Sequence, residues 1–138
     1  MIALIQRVAS ASVAIGGVET GAIGRGILAL VGISGSDSGA SGERLIEKVL
    51  TYRIFSDDAG KMNLSLRQIA GELLLVPQFT LLADTAGGTR PGFSRAGPPD
   101  QAREIFEALV VRARATHPTV AWAALAPICR SPWSMMAR

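Results

Sequence analysis

The stretch VETGAIGRGILALVGI, residues 18–33, combines strand and turn chemistry within sixteen positions. Its first residues predict a short strand, the glycines of GAIGRG predict a turn, and the apolar run 27–33 predicts a second, strongly apolar strand. Upstream, residues 2–15 have the spaced apolar side chains of a strand that is interrupted near 9–11, and Gly16 and Gly17 predict the turn that follows. The first third of the chain is therefore predicted to be an antiparallel meander.

Two helices are predicted from apolar residues at helical spacing. The first begins near its predicted N-cap, Ser41, and its apolar positions are Leu45, Ile46, Val49 and Leu50. The second follows Pro98, Pro99 and Asp100, and its apolar positions are Ile105, Phe106, Leu109, Val110 and Ala113. Between the helices, Gly60 marks a turn within 56–63, the run ELLLVPQFTLLA (72–83) predicts a strand, and the glycine- and proline-rich residues 86–99 predict a long loop. This order predicts one α/β domain over residues 1–138, with a mostly antiparallel sheet layered against two helices.

Composition excludes several classes of protein. With 138 residues, of which 49% are hydrophobic, the chain can bury one core. Its 14 basic and 11 acidic residues give a net charge of +3, an excess that permits nucleic-acid binding without indicating it. The N-terminal residues lack the pattern of a signal peptide, and no stretch approaches the roughly 18 apolar residues of a membrane span. Because Cys129 is the single cysteine, an internal disulfide is excluded and a cytoplasmic location is expected.

The side chains that most often perform chemistry are scarce. One histidine, one cysteine and no cluster of carboxylates give no recognised metal-binding pattern, so no metal site is expected. His117, just after the second helix, is interpreted as an ordinary helix-end or solvent-facing residue, and Cys129 has no neighbouring base that would activate it. The glycines of GAIGRG are in the wrong order for a dinucleotide-binding loop and are better explained by a hairpin turn.

The remaining candidate is VPQFTLLADT (76–85) together with GTRPGFSRAG (88–97). Gln78 and Thr80 are polar groups beside Phe79, at the end of a strand too apolar to face water, where a substrate could meet them. The alternative is that Thr80 is an ordinary strand residue and Gln78 an ordinary surface residue. The residues alone favour this alternative.

Five blocks of the sequence resemble the D-aminoacyl-tRNA deacylases, also called D-tyrosyl-tRNA deacylases, in their order and spacing. They are MIALIQRV (1–8), GAIGRGILALVGI (21–33), KVLTYRIFSDDAGKMNLS (48–65), LLLVPQFTLLADT (73–85) and RPGFS (90–94). Several blocks in register are far more specific than one short motif, and the resemblance covers residues 1 to about 115. It implies the deacylase fold and a cytoplasmic homodimer. The implied reaction is hydrolysis, without metal or cofactor, of the ester that joins a D-amino acid, or mischarged glycine, to the 3′ end of tRNA.

The resemblance also implies which residues form the site. The first family motif, Ser-Gln-Phe-Thr, aligns with Pro77, Gln78, Phe79 and Thr80, so a serine is replaced by Pro77. Thr80 is one candidate nucleophile. In the other interpretation, which we favour, the backbone N–H groups of Phe79 and Thr80 stabilise the oxyanion while water attacks, helped by the 2′-hydroxyl of the RNA. The substrate-binding residues implied by the resemblance are Arg7, Met62, Phe79, Arg90 and Phe93, and Arg7 matches an arginine that supports a second motif.

That second motif is a Gly-Pro pair with a cis peptide bond near the C-terminus of the family, where it rejects L-amino acids. The C-terminal residues LAPICRSPWSMMAR (125–138) contain no such pair. Read in the alternate frame, however, residues 122–138 can encode the whole family stretch Gly-Arg-Phe-Gly-Ala-Asp-Met-Gln-Val-Ser-Leu-Val-Asn-Asp-Gly-Pro. The fit has little freedom, because the single methionine codon forces Met135 and Met136 to give GAT, aspartate. We hypothesise that residues 116–138 are atypical because of a frameshift between about residues 112 and 122.

Without the Gly-Pro motif, a second function is open to this chain. It could be a catalytically impaired module that binds the 3′ end of tRNA or only dimerises. Release of the amino acid from D-tyrosyl-tRNA indicates the enzyme, and retention without turnover indicates the binding module.

Overall fold

The computed structural model of the protein describes residues 1–123. Eight β-strands and two α-helices lie in this range: β1 Ile2–Val8, β2 Ala11–Ile15, β3 Val18–Ile23, β4 Gly26–Gly32, α1 Gly39–Thr51, β5 Phe55–Ser56, β6 Met62–Leu64, β7 Glu72–Pro77, α2 Pro99–Thr116 and β8 Val120–Trp122. A one-turn 3₁₀ helix, Phe79–Leu82, follows β7. The predicted α/β fold with two helices is confirmed, and the predicted bounds of β4 and α2 are correct within one or two residues.

The central sheet has the strand order β1-β4-β7-β8. β1 runs antiparallel to β4, whereas β7 pairs in parallel with both β4 and β8. Three of the five strand pairings described are antiparallel, but two of these are separate hairpins, and two of the three pairings within the central sheet are parallel. The parallel pairs were not predicted. They arise because α1 and α2 are crossover connections that return the chain to the end of the sheet at which the previous strand began.

The predicted meander is wrong in its pairing, because β1 pairs with β4 and only β2 and β3 form a hairpin. The hairpin turn contains Gly16 at φ 59° and Gly17 at φ 81°, a backbone geometry that glycine adopts without steric cost. The predicted interruption of the first strand is real, since residues 9 and 10 separate β1 from β2. The chain leaves one sheet there and enters another.

The two faces of the central sheet support two apolar clusters. The larger contains the helix residues Ile46, Leu50, Phe106 and Leu109, together with Ile27, Leu73 and other inward-facing strand residues. The smaller lies on the opposite face and contains Leu28, Leu74, Val76, Ala11, Ile23 and Ala123. Because both faces of β4 and β7 are covered, these strands are apolar throughout and do not alternate between apolar and polar residues.

The start of α1 differs from the sequence prediction. Its N-cap is Ser38, and Ser41 lies at the third helical position, where its hydroxyl accepts a hydrogen bond of 3.3 Å from the Ser38 N–H. This arrangement satisfies one of the backbone donors that a helix start leaves without an intrahelical partner. The serine-rich segment offered several possible caps, and helical periodicity alone could not choose among them.

Asp37, just before α1, ties the start of β1 to the end of β4. Its carboxylate accepts hydrogen bonds from the α-amino group of Met1 at 2.8 Å and from the backbone N–H of Ser34 at 2.8 Å. Burial alone would raise the pKa of Asp37, but these hydrogen bonds and the positive charge of the amine hold that pKa below its ordinary value. Ser34 is thereby fixed, and it also forms an isolated β-bridge with Ala96 in the long loop.

In the described part of the chain, no helix is both long and apolar enough to cross a membrane. Within residues 1–123, no three histidine, cysteine or acidic side chains come together as metal ligands would.

Candidate active site

The segment that follows β7 is a turn of 3₁₀ helix, not a continuation of the strand. The prediction of a strand over 72–83 is therefore wrong beyond Pro77, the last residue of β7. Proline has no N–H to donate to a neighbouring strand, and the Gln78 N–H makes the final contact, 2.7 Å to the carbonyl oxygen of Val31. The strand therefore ends at Pro77, and the 3₁₀ helix begins at Phe79.

Gly32 allows the 3₁₀ helix to lie directly against the end of β4. A Cβ at Gly32 would stand 3.1 Å from the Cβ of Leu81 and 3.3 Å from the carbonyl oxygen of Gln78. These distances are tighter than ordinary van der Waals contact, so the close approach depends on the missing side chain. Leu82 is buried in the same region, while Phe79 and Thr80 remain exposed.

Two backbone donors at the start of the 3₁₀ helix have no acceptor in the part of the chain that the structure describes. The N–H groups of Leu81 and Ala83 donate to Gln78 and Thr80, at 3.4 Å and 3.2 Å. Among the hydrogen bonds of residues 1–123, the N–H groups of Phe79 and Thr80 have no acceptor. Helices leave their first N–H groups without intrahelical partners, and such groups bind carbonyl oxygens and oxyanions. Two adjacent donors on an exposed edge are thus available to a ligand.

The Thr80 hydroxyl is engaged by its neighbour. The side-chain amide of Gln78 donates a hydrogen bond to the Thr80 oxygen. No histidine or carboxylate in the described part of the chain is hydrogen-bonded to that hydroxyl. A threonine nucleophile requires a base to remove its proton, and this environment supplies none. The local geometry therefore favours the backbone N–H groups, and not the Thr80 hydroxyl, as the groups available to a ligand.

The long loop places a second aromatic ring over the segment. Phe79 and Phe93 meet edge to face with their ring centroids 5.2 Å apart, and both remain partly exposed. The loop is closed at its base by the Asp84–Gly92 bridge, whose two N–H···O distances are 2.7 Å and 2.9 Å. The guanidinium of Arg95 adds a contact of 3.4 Å to the carbonyl oxygen of Ala83. The predicted loop over 86–99 is confirmed as irregular, and it is anchored at both ends.

Comparison with known proteins identifies the family. Residues 4–124 match the family model described as D-Tyr-tRNA(Tyr) deacylase. The chain is 57% identical over 121 residues to a D-aminoacyl-tRNA deacylase of Azotobacter vinelandii, and 56% identical over 121 residues to one of Pseudomonas syringae. Each match covers 88% of this chain and 83% of the relative.

The chain belongs to the D-Tyr-tRNA(Tyr) deacylase family.

A solved structure supports the fold of this deacylase family member. The structure titled c-Myc DNA Unwinding Element Binding Protein has a TM-score of 0.82 and 36% sequence identity, and the match covers 87% of this chain and 82% of that one. The family match also extends past the predicted limit of about residue 115, because the family model continues to residue 124. The remaining residues, 125–138, lie outside that match.

The structure brings together some of the residues that the resemblance to the deacylases implies, and separates others. Gln78, Phe79, Thr80 and Phe93 form one group. Arg7 pairs with Ile27, four residues along β4 from Val31, which is a distance of about 13 Å at roughly 3.3 Å per strand residue. Its guanidinium donates to the carbonyl oxygen of Ile54 at 3.0 Å.

Met62, on β6, and Arg90, in the long loop, are exposed, and neither side chain forms a described hydrogen bond or ring contact with the 78–80 segment. Their predicted substrate contacts stay predictions. Cys129 and the proposed frameshifted stretch lie outside the described residues, apart from the two residues 122 and 123 at its start.

His117 is a helix-end residue, as predicted, but it is buried. It caps α2, and its Nε2 lies 2.6 Å from the carbonyl oxygen of Gly71 at the start of β7. The 78–80 segment follows the opposite end of β7, about 20 Å away at strand spacing. His117 is therefore not placed to act as a base for that segment.

Sequence reasoning missed the 3₁₀ helix, although the resemblance to the deacylases implied a role for the N–H groups of Phe79 and Thr80. Pro77 inside an apolar run was the available signal, because proline marks the edge or end of a strand. The partner of the segment, Gly32, lies far away in sequence and gave no local signal.

Proposed function

We propose that this protein hydrolyses the ester bond of D-aminoacyl-tRNA, and of mischarged glycyl-tRNA, releasing the free amino acid and tRNA as a proofreading step. Membership of a deacylase family supports the reaction class. The observation that carries the location is the pair of free N–H groups at Phe79 and Thr80, held at an exposed edge by the packing of the 3₁₀ helix on Gly32.

The proposed chemistry needs only a positioned water and a stabilised oxyanion. The ester carbonyl oxygen accepts hydrogen bonds from the Phe79 and Thr80 N–H groups. Water, helped by the 2′-hydroxyl of the terminal adenosine, adds to the carbonyl carbon, and the negative charge develops on the oxygen facing the two donors. Collapse of this intermediate breaks the bond to the 3′-oxygen, which leaves with a proton. No side chain of the protein forms a covalent bond in this scheme.

The aromatic pair is suited to the RNA end of the substrate. Phe79 is 53% exposed and Phe93 is 39% exposed, and exposed rings provide stacking surfaces for nucleic-acid bases. We place the 3′ adenosine against these rings, with Arg90, on the same loop as Phe93, available to a phosphate. Met62 is proposed to contribute an apolar contact, as the resemblance implies.

The same proposal includes a cytoplasmic homodimer that acts without a metal or cofactor. Ile2 and Leu4 are 43% and 56% exposed and lie on β1, an edge strand of the sheet that residues 1–123 form. β1 also contacts the 3₁₀ helix that carries the exposed Phe79. Apolar side chains of this kind beside an unpaired strand edge are typical of a surface that a partner covers. A second copy of the chain is the partner expected from the family.

Selection of D-amino acids is proposed to require the second family motif. The one Gly-Pro pair in the sequence is Gly97-Pro98, which directly precedes α2 and whose glycine N–H is bonded to the carbonyl oxygen of Ile33 at 2.9 Å. That pair already has a structural role between β4 and α2. The frameshift hypothesis for the C-terminal residues therefore predicts reduced activity and reduced selectivity for the 138-residue chain, relative to a chain with the family stretch restored.

Incubation with excess D-tyrosyl-tRNA separates the enzyme from the alternative binding module. Release of more than one equivalent of D-tyrosine per protein supports the deacylase. Retention of the intact ester in a stoichiometric complex would instead support the module that binds the 3′ end, and L-tyrosyl-tRNA in parallel reports the selectivity.

Substitution of Thr80 by valine distinguishes the two proposed roles of this residue. Thr80→Val removes the hydroxyl but keeps the backbone N–H and the side-chain shape. We expect the rate of D-tyrosyl-tRNA hydrolysis to fall by less than about tenfold, the effect of one lost hydrogen bond from Gln78.

Loss of a true nucleophile would have a far larger effect, on the order of 10⁶ in kcat for a hydrolase that uses one. A fall of that size in Thr80→Val, measured by single-turnover kinetics on a variant with unchanged unfolding behaviour, would establish Thr80 as the nucleophile and refute the backbone scheme.

A further inference from the structure

Arg7 and Arg25 contact the consecutive residues Ile54 and Phe55, and Arg53 directly precedes these two residues in the chain. The guanidinium of Arg7 donates to the carbonyl oxygen of Ile54 at 3.0 Å. The guanidinium of Arg25 lies over the ring of Phe55, 5.6 Å from its centroid. Arg53 itself donates to the side-chain oxygen of Asn63 at 3.2 Å. All three arginines are exposed, so residues 53–55 gather three positive charges on one part of the surface.

The contacts that orient these arginines are all neutral. A carbonyl oxygen, an aromatic ring and an amide oxygen hold the three groups, and none of these partners cancels a positive charge. The ion pairs described in residues 1–123 are Met1–Asp37 and Arg67–Glu47, and residues 124–138 contain no aspartate or glutamate. An arginine has five N–H donors, so each side chain keeps several for an external anion.

Three carboxylates lie near these arginines in the sequence or in strand pairing, and two of them accept hydrogen bonds from backbone N–H groups. Asp57, in the turn between β5 and β6, accepts from the N–H groups of Ala59 and Lys61 at 2.9 Å and 3.0 Å. Glu72 accepts from the N–H of Gly24. Asp58 is exposed in the same turn, and the positive charge of the exposed Lys61, three residues later, offsets its negative charge. Hydrogen bonds from neutral N–H groups do not remove these negative charges. The basic residues Arg7, Arg25, Arg53 and Lys61 nevertheless exceed the acidic residues Asp57, Asp58 and Glu72 by one charge.

We propose that Arg7, Arg25 and Arg53 form a binding surface for the phosphodiester backbone of the substrate tRNA. This inference rests on the proposed function, and it extends the site from the reacting ester to the RNA that carries it. Oriented guanidinium groups without carboxylate partners are suited to phosphate oxygens. At strand spacing, Arg7 lies about 13 Å and Arg25 about 20 Å along β4 from Val31, whose carbonyl oxygen accepts from the Gln78 N–H. Both distances are within reach of the single-stranded 3′ end of tRNA.

The test uses uncharged tRNA, which binds but offers no ester. We would measure its Kd by fluorescence anisotropy at several salt concentrations, for the unaltered protein and for Arg25→Gln/Arg53→Gln. Each phosphate contact contributes a slope of roughly −0.7 to −0.9 to log K against log salt. The double variant should therefore lose about 1.5 from that slope and bind on the order of tenfold more weakly at low salt.

Two further variants control for charge and folding. Arg44→Gln/Arg112→Gln removes the same charge from exposed helix positions and should keep the unaltered slope. Arg25→Lys/Arg53→Lys retains the charge and should recover most of the slope. If Arg25→Gln/Arg53→Gln binds tRNA with the Kd and slope of the helix control, the proposed surface is wrong.

The result of this binding test can be distinguished from the result of the hydrolysis test of the proposed function. If Arg25→Gln/Arg53→Gln weakens binding of uncharged tRNA while even the unaltered protein leaves D-tyrosyl-tRNA intact, the phosphate surface stands and the deacylase proposal fails. If the double variant hydrolyses D-tyrosyl-tRNA with unchanged KM and binds tRNA normally, the surface alone is refuted.

Discussion

Phe79→Pro is expected to slow hydrolysis of D-tyrosyl-tRNA by about 10²–10³-fold relative to Phe79→Ala, the effect of removing one oxyanion-hole donor. The two variants lack the phenyl ring equally, and they differ in that proline has no backbone N–H. The comparison therefore isolates the donor from the aromatic contact with Phe93.

The backbone tolerates proline at this position. Phe79 is the first residue of a helical turn, where proline is favoured, and Gln78, at φ −145° and ψ 93°, already lies outside the helical region that a following proline disfavours. The measurement is the single-turnover rate at saturating protein, with urea unfolding to verify that both variants fold. Equal rates for Phe79→Pro and Phe79→Ala would show that the N–H group of Phe79 takes no part in catalysis.

Gly26→Ala is expected to lower the free energy of unfolding by more than the about 1–3 kcal/mol typical of overpacking. A Cβ at Gly26 would lie 2.6 Å from the backbone nitrogen of Glu72 and closer still to its carbonyl oxygen. These atoms belong to the neighbouring strand of the central sheet, so they cannot move aside as the end of a flexible side chain can. The parallel pairing of β4 with β7, which positions the 78–80 segment, should be lost first.

Gly24→Ala is the matched control for this effect. A Cβ at Gly24 would meet the Glu72 carboxylate at 3.7 Å, an ordinary contact with a flexible side chain. An exposed substitution of this kind should change stability by no more than about 0.5 kcal/mol. Urea unfolding of both variants is the measurement, and indistinguishable midpoints would contradict the proposed strand contact.

Local structure was largely readable from the sequence, because local signals determine it. Helical periodicity located α1 and α2, and the paired glycines Gly16 and Gly17 marked the hairpin turn. Strand pairing was harder, because the partner of each strand depends on segments distant in sequence. The parallel β4–β7 pair follows from the crossover through α1, whereas the sequence pattern shows only that both strands are apolar.

The candidate site was predicted only in part for a related reason. Gln78, Phe79 and Thr80, together with the backbone N–H groups of Phe79 and Thr80, were predicted through resemblance and not from the residue types. Every residue except proline has such a group, so composition cannot reveal which ones lack a partner. The arginine surface was equally hidden, since three strands and a helix separate Arg7 from Arg53 and the three arginines come together only in the folded chain.

Hydrolysis of D- and L-tyrosyl-tRNA by two forms of the protein tests the central claim most directly. One form is the 138-residue chain, and the other carries the family stretch in place of residues 122–138. We predict that the restored form releases D-tyrosine far faster than buffer alone and spares the L ester, while the 138-residue chain is slower and less selective. If the restored form leaves D-tyrosyl-tRNA intact at the rate of buffer alone, the protein is not the deacylase that we propose.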